Sequence, residues 1–156
     1  MTILSCSKIF PDEELTLSKE NIGEGILKLD GYYYYEHSNS QGPLFRKFAL
    51  YRNGVIKYIG SSSEINEGIF YGSGEKGDWG LYKIYGTKIL YEKWNADNTK
   101  YNVYTYEGQI LNDSTYRMTS SYQLDKGNKT NVRSFDEVYH FYKFSPKPDS
   151  TNEFIK

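Results

Sequence analysis

Two histidines have the widest catalytic potential of any side chains in this sequence of 156 residues. A Ser-His-Asp device would need His37 or His140 to be held by an acid close to a nucleophile. His37 stands at the end of a strand-like segment beside a polar loop, which is typical of a solvated histidine. His140 lies inside the last predicted strand, on the same face as Val138, Tyr142 and Phe144. This pattern predicts a packed or hydrogen-bonded His140 or, alternatively, the polar anchor of a ligand cavity.

Carboxylates and glycines supply two further candidate motifs. Glu92 and Glu107 could act together in glycoside hydrolysis, but nothing in the sequence pairs them, and solvated positions are favoured. Residues 72–77 spell the G-x-G-x-x-G motif of dinucleotide sites, which must open a helix, whereas residues 78–82 have the pattern of a strand. A loop is therefore predicted there. The sequence predicts no catalytic residue, no clustered metal ligands, no cofactor and no enzyme.

Aromatic residues are the remaining functional signal. The chain contains 17 Tyr, 8 Phe and 2 Trp, while Leu, Ile, Val and Phe together number only 35. Tyrosine must therefore supply much of the buried area, although its hydroxyl group requires a hydrogen-bond partner or water. Only two alanines are present, which argues against a helical bundle.

The elements that carry these aromatics are strands that recur about every ten residues. They predict an all-β fold, an antiparallel up-and-down meander of about eight or nine strands. Closing the sheet into a barrel would remove its exposed edges, and a half-open sheet or a sandwich is the alternative. The predicted strands include residues 25–36, 48–52, 55–59, 79–85, 88–94, 100–111, 115–124 and 135–144.

Two turns define hairpin registers. Asn53 and Gly54 are the favoured pair for a two-residue turn, which would place Tyr51 opposite Ile56. A second turn at residues 86–87 divides its two strands into opposite faces. One face would carry Trp79, Leu81, Lys83, Tyr85, Lys88, Leu90, Glu92 and Trp94, and the other Tyr82, Ile84, Ile89 and Tyr91.

Composition and charge divide the chain and limit its partners. Residues 1–22 are predicted to be a tether, residues 23–145 the barrel domain and residues 146–156 a C-terminal tail. The formal charge is −1, and neither sign of charge forms a long block. Nucleic-acid binding requires a basic face, so it is not expected.

Cys6 is the only cysteine, so no internal disulfide can form. Its context resembles the processing box of bacterial lipoproteins, with Ile3 three residues before it and small Ser5 directly before it. The basic and apolar regions of a signal peptide are absent before this box. The box predicts lipid attachment at Cys6, a location in the cell envelope facing the periplasm or the surface, and membrane contact only through that lipid. The alternative is an ordinary free thiol.

The order and spacing of the strands resemble the lipocalin-like (calycin) domains of small bacterial lipoproteins. The resemblance covers residues 24–144 and rests on three segments, residues 30–33 (DGYY), the Trp-containing hairpin at residues 77–89 and residues 108–115 (GQILNDST). Tyr33 stands where the lipocalin signature has Trp. The resemblance implies a barrel of about eight strands with room for one small ligand.

We therefore expect non-catalytic binding of a small hydrophobic or amphipathic ligand inside an aromatic-lined barrel. The expected wall residues are Tyr33, Tyr35, Trp79, Tyr104, His140 and Tyr142. Two alternatives place the aromatics on an outer face. One is a protein-protein interaction module such as an inhibitor or immunity protein, and the other is a carbohydrate-binding module.

Overall fold

The computed structural model describes residues 10–156, and in this part of the chain eight antiparallel strands form one sheet. Each strand pairs with the next, and the last pairs with the first from Gly31↔Lys143 to Tyr34↔His140. The predicted all-β up-and-down barrel is confirmed, and the closing ladder excludes the half-open sheet and the sandwich. The strands are β1 (Gly31–Asn39), β2 (Gly42–Leu50), β3 (Val55–Gly60), β4 (Trp79–Tyr85), β5 (Lys88–Ala96), β6 (Tyr101–Asn112), β7 (Thr115–Asp125) and β8 (Asn128–Lys143).

The helical content of the described residues lies between β3 and β4. It consists of the short helix α1 (Glu67–Tyr71) and a 3-10 helix (Lys76–Asp78). The glycine-rich motif at residues 72–77 runs from the end of α1 into the 3-10 helix, and β4 follows directly, so the motif opens no α-helix. In residues 10–156 no helix has the length and apolar character needed to cross a membrane.

Both predicted hairpins form, but the pairing register was predicted correctly for only one of them. At residues 86–87 the predicted partners Ile84↔Ile89 and Tyr82↔Tyr91 are observed. At Gly54 the prediction is wrong by one residue, because Leu50, not Tyr51, pairs with Ile56. Gly54 adopts a φ of +80° and donates its N–H to the Tyr51 carbonyl, which lengthens the connection by one residue.

Alternation along the strands gives the barrel an apolar interior and an apolar outer wall. The interior cluster is dominated by tyrosine, and its buried members are Ile22, Leu27, Tyr33, Phe48, Leu50, Ile56, Tyr82, Ile89, Tyr91, Tyr116, Met118 and Tyr139. The outer cluster contains both tryptophans, and its buried members are Tyr32, Ala49, Tyr51, Val55, Ile59, Phe70, Trp79, Leu81, Trp94, Val103 and Ile155.

The N-terminal segment, residues 10–22, covers part of the outer cluster. Leu15 and Leu17 pack against that cluster, and the Trp94 indole donates a 2.7 Å hydrogen bond to the Glu13 carbonyl. The described part of the predicted tether therefore lies against the barrel wall. Cys6 lies outside the described residues, so its lipid attachment stays a prediction.

The C-terminal segment, residues 145–156, covers a second part of the same wall. Ile155 is buried in the outer cluster, and Phe154 packs beside it. The Lys147 ammonium donates hydrogen bonds to the carbonyls of Leu29 (2.6 Å) and Leu50 (2.5 Å). The predicted tail is thus held to the barrel by both apolar and polar contacts.

One end of the barrel is closed by the chain that leads into β1. Leu27 belongs to the interior cluster, and the Tyr33 hydroxyl donates to the carbonyls of Lys28 and Asp113, each at 3.1 Å. The Lys28 N–H donates to the Asp113 carbonyl at 2.8 Å. These bonds join the entering chain to the β6–β7 turn, so this end of the interior is filled.

Candidate ligand-binding cavity

A cavity of about 410 Å³ occupies the opposite end of the barrel interior. Its lining comes from β2, β3, β5, β6, β7 and β8, so it requires the closed sheet. Arg133 and Ser134 are exposed members of the lining and form the cavity mouth. The volume lies in the range of small-molecule sites in proteins.

The aromatic lining continues the interior cluster toward the mouth. Tyr91 and Tyr106 stack with ring centroids 4.5 Å apart, and Phe48 packs on Tyr139 at 5.8 Å. Such rings give a ligand a large apolar contact surface. The aromatic lining consists of Phe48, Tyr58, Tyr91, Tyr106, Phe135 and Tyr139.

An ion pair occupies one side of the cavity. The Arg46 guanidinium donates to the Glu137 carboxylate, and the Tyr139 hydroxyl donates to the second oxygen of Glu137 at 2.8 Å. Burial, reinforced by the Glu137 charge, raises the pKa of Tyr139 above its usual range. Both carboxylate oxygens therefore have partners, and the charge of Glu137 is balanced by Arg46.

Two further cations line the same cavity. Among residues 10–156 the Lys93 ammonium donates to two acceptors, the Trp94 carbonyl (3.3 Å) and the Asn95 side-chain oxygen (3.2 Å). Burial lowers the pKa of Lys93 to about 8, and the Asp78 carboxylate opposes this shift. Within residues 10–156 neither Lys93 nor Arg133 forms an ion pair. The cavity therefore has an excess of positive charge.

Three of the expected wall residues face the barrel interior without belonging to the cavity lining. Tyr33 fills the closed end, where burial raises its pKa above the usual range. Tyr35 packs against Tyr139, with ring centroids 5.7 Å apart. Tyr104 pairs directly with Lys93 in the β5–β6 ladder and therefore shares its face of the sheet.

The other three expected wall residues point away from the interior. Trp79 lies in the outer cluster, and its indole donates to the Ser73 carbonyl at 2.6 Å. His140 is exposed, and Tyr142 is 53% exposed with its ring against Tyr32 on the outer wall. His140 and Tyr142 are not cavity walls because the residues that β8 turns inward are Phe135, Glu137, Tyr139 and Phe141. Trp79 is not a cavity wall because Tyr82, three residues away in β4, faces the interior.

The two carboxylates considered for acid–base chemistry are engaged elsewhere. Glu92 is only 2% exposed and accepts hydrogen bonds from the backbone of Thr16 (2.7 Å) and Leu17 (3.0 Å). Glu107 accepts from the Tyr122 hydroxyl at 2.6 Å and also pairs with a lysine. Each carboxylate thus has a structural partner. Among residues 10–156 no group of three or more His, Cys, Asp or Glu could hold a metal ion.

The charged lining residues were missed by the sequence reasoning. Arg46, Lys93, Arg133 and Glu137 come from three strands, and Arg46, Lys93 and Glu137 each stand beside another charged residue that shows no preference for either face of the sheet. The signal that could have found Lys93 was its phase. In β5, Lys93 lies on the same face as Ile89 and Tyr91, and the sequence pattern had already placed those two residues together on one apolar face.

The barrel and its cavity define the class of the protein as a closed β-barrel with a ligand-sized interior. Comparison with protein-family models, with curated proteins and with solved structures finds no match to this chain. Function is therefore inferred from the geometry of the cavity.

Proposed function

We propose that this protein binds a small amphipathic molecule inside the barrel and does not transform it. The observation that carries the proposal is the cavity of about 410 Å³, which is lined by both aromatic rings and a few charged groups. A site of this kind buries the apolar part of a ligand and orients it through a few polar contacts.

The bonding of the charged lining supports binding without chemistry. A general acid or base needs a free proton position facing the substrate. The Glu137 carboxylate is occupied by Arg46 and by the Tyr139 hydroxyl. The other carboxylates considered for catalysis, Glu92 and Glu107, are bonded to other parts of the barrel.

The alternative functions require aromatic rings on an open outer surface. The outer wall does carry both tryptophans, but Trp79 and Trp94 are nearly inaccessible beneath other parts of the same chain. The N-terminal segment bonds to Trp94, and the loop after α1 bonds to Trp79. This covering favours an interior ligand over a stacking platform for sugars or a protein partner.

The lipoprotein assignment of this ligand-binding barrel rests on the sequence around Cys6. Mass spectrometry of protein extracted from membranes should find a lipid on Cys6, and a Cys6→Ser variant should lose both the lipid and membrane association. Recovery of the wild-type protein with an unmodified Cys6 would remove the proposed anchor and the location in the cell envelope.

Native mass spectrometry of the purified protein tests binding. The expected result is a bound species that is released on denaturation, or stoichiometric uptake of an added amphipathic dye. Ser121→Phe should abolish uptake, because Ser121 lines the cavity and the new ring would fill it. Thr119→Phe is the control, since Thr119 is exposed and lies outside the cavity lining. Failure of the wild type to bind any such molecule would overturn the proposal.

A further inference from the structure

Lysines whose pKa is lowered by burial differ in what their ammonium groups bond. Lys57 donates to the carbonyls of Phe70 (3.2 Å) and Gly72 (2.6 Å), and Lys147 donates to Leu29 and Leu50. These bonds cross from the barrel to a covering segment, so these lysines hold the fold together.

Lys93 differs from both, because its two acceptors lie within two residues of it in its own strand. Those bonds are long, at 3.3 and 3.2 Å, and they join no separate parts of the fold. An ammonium group has three donors, and a buried charge is costly unless it is paired. The fold therefore has no evident need for a cation at this position.

The surroundings of Lys93 are those of a half-formed anion site. Its ammonium lies 5.8 Å from the centre of the Tyr58 ring, within the aromatic lining. The cavity lining carries three cations and the single carboxylate Glu137, which Arg46 already neutralises. Arg133 places a second unpaired cation at the mouth. The whole chain has a formal charge of −1, so this positive charge is local to the cavity.

We propose, building on the function proposed above, that the ligand is a small amphipathic acid whose anionic group pairs with Lys93. Its apolar body packs on the aromatic lining, and Arg133 attracts the anion to the mouth. A charge-assisted hydrogen bond then supplies the anionic partner that Lys93 lacks within the described chain.

Two dyes that differ only in charge provide the test. One is an anilinonaphthalene sulfonate, and the other is the same ring system without the sulfonate, phenylnaphthylamine. Fluorescence titration of the wild-type protein should show that the anionic dye binds at least about tenfold more tightly. Lys93→Met should remove this preference and leave the affinity for the neutral dye unchanged. Lys83→Met is the control, because Lys83 pairs with Glu20 on the outer wall, and it should retain the preference.

Arg133→Gln provides a second variant at an exposed position, where folding is not at risk. It should slow association of the anionic dye and weaken the dependence of that rate on salt. Equal binding of the two dyes to the wild type, or an unchanged preference in Lys93→Met, would overturn the inference and leave the general binding function standing. Binding of neither dye would overturn both.

The pH dependence of dye binding tests the role of Lys93 independently of the variants. The groups around Lys93 are Asp78, Tyr58, Tyr104 and the other charged lining residues Arg46, Arg133 and Glu137. The wild-type preference for the anionic dye should decline as the pH rises past about 8, where Lys93 loses its proton. The neutral dye should show no such decline, and a parallel loss of both would contradict the role of Lys93.

Discussion

Replacing Lys93 with methionine is expected to stabilise the fold although it removes a binding residue. Methionine is of similar length, uncharged and adaptable in packing. Burial in the folded protein lowers the pKa of Lys93 from 10.5 to about 8. Near neutral pH the ammonium is charged in both states, but the folded state disfavours that charge. A fall of the Lys93 pKa from 10.5 to about 8 corresponds to a destabilisation of about 3 kcal/mol.

The expected gain depends on pH in a defined direction. Because the unfolded chain binds the Lys93 proton more tightly, the stability of the wild type rises as the pH increases from about 8 to about 10.5. The advantage of Lys93→Met should therefore be about 3 kcal/mol near pH 7 and about 1.5 kcal/mol near pH 9.5. Lys147, whose pKa is also lowered to about 8, is present in both proteins and cancels in the difference.

Urea unfolding followed by circular dichroism at both pH values measures this difference. Lys83→Met is the control. Lys83 forms a 3.0 Å ion pair with Glu20 on the outer wall, so its removal should give no stabilisation. A Lys93→Met protein that is less stable than the wild type, or whose advantage does not change with pH, would show that burial of this ammonium does not destabilise the fold.

Three further changes test other parts of the fold. Glu92→Gln weakens the charge-assisted bonds to the N-terminal segment, so stability should fall by about 1–3 kcal/mol and amide exchange in residues 10–22 should accelerate. Gly54→Ala places a β-carbon 3.0 Å from the Glu20 carbonyl oxygen at a φ of +80°, so the urea midpoint should fall, by an amount equivalent to about 1 kcal/mol or more. Burial raises the pKa of Tyr33 and Tyr82 above 10.0, so the unfolded chain loses those protons first and stability should decline above about pH 10. Normal titration of all tyrosines by absorbance would contradict the last expectation.

Local turn chemistry made the fold class and most strands predictable from the sequence. The turn at residues 86–87 fixed its register correctly because it has the two-residue length that matches strand twist. Asn53 and Gly54 carried the same signal, yet the register differs by one residue. The carbonyl oxygen of Gly54 accepts the Tyr82 N–H at 2.7 Å, a contact with the next strand that a hairpin rule cannot include.

The composition of the cavity was harder to predict because both faces of the sheet are aromatic. Tyr139 and Tyr142 differ by three residues in one strand, so they lie on opposite faces, and nothing in their own segment identifies the inward one. Which alternate side chains of a strand face the interior is decided by closure of the barrel and by the segments that cover its outer wall. Both depend on contacts between residues far apart in the sequence, such as Tyr34↔His140.

The covering segments explain the second aromatic face. From the sequence, residues 10–22 were predicted to belong to a tether because they are polar and acidic. Glu92 was predicted to be a solvated strand residue. In the structure these two parts of the chain bind each other, because the Glu92 carboxylate accepts hydrogen bonds from the backbone of Thr16 and Leu17. Polar composition therefore concealed a docked segment, because its acidic groups and backbone donors meet partners that are distant in sequence.

The direction of the N-terminal segment has a consequence for any membrane-bound form. Glu13 bonds to Tyr101 at the cavity end of β6, and Ile22 bonds to Arg52 at the closed end, so the segment enters beside the cavity. On the proposal that Cys6 carries a lipid, six Cα–Cα steps join it to Asp12, which limits their separation to at most about 22 Å. The open end of the barrel would then stand within that distance of the bilayer surface. An amphipathic acid could pass between the lipid leaflet and the barrel with little travel through bulk water.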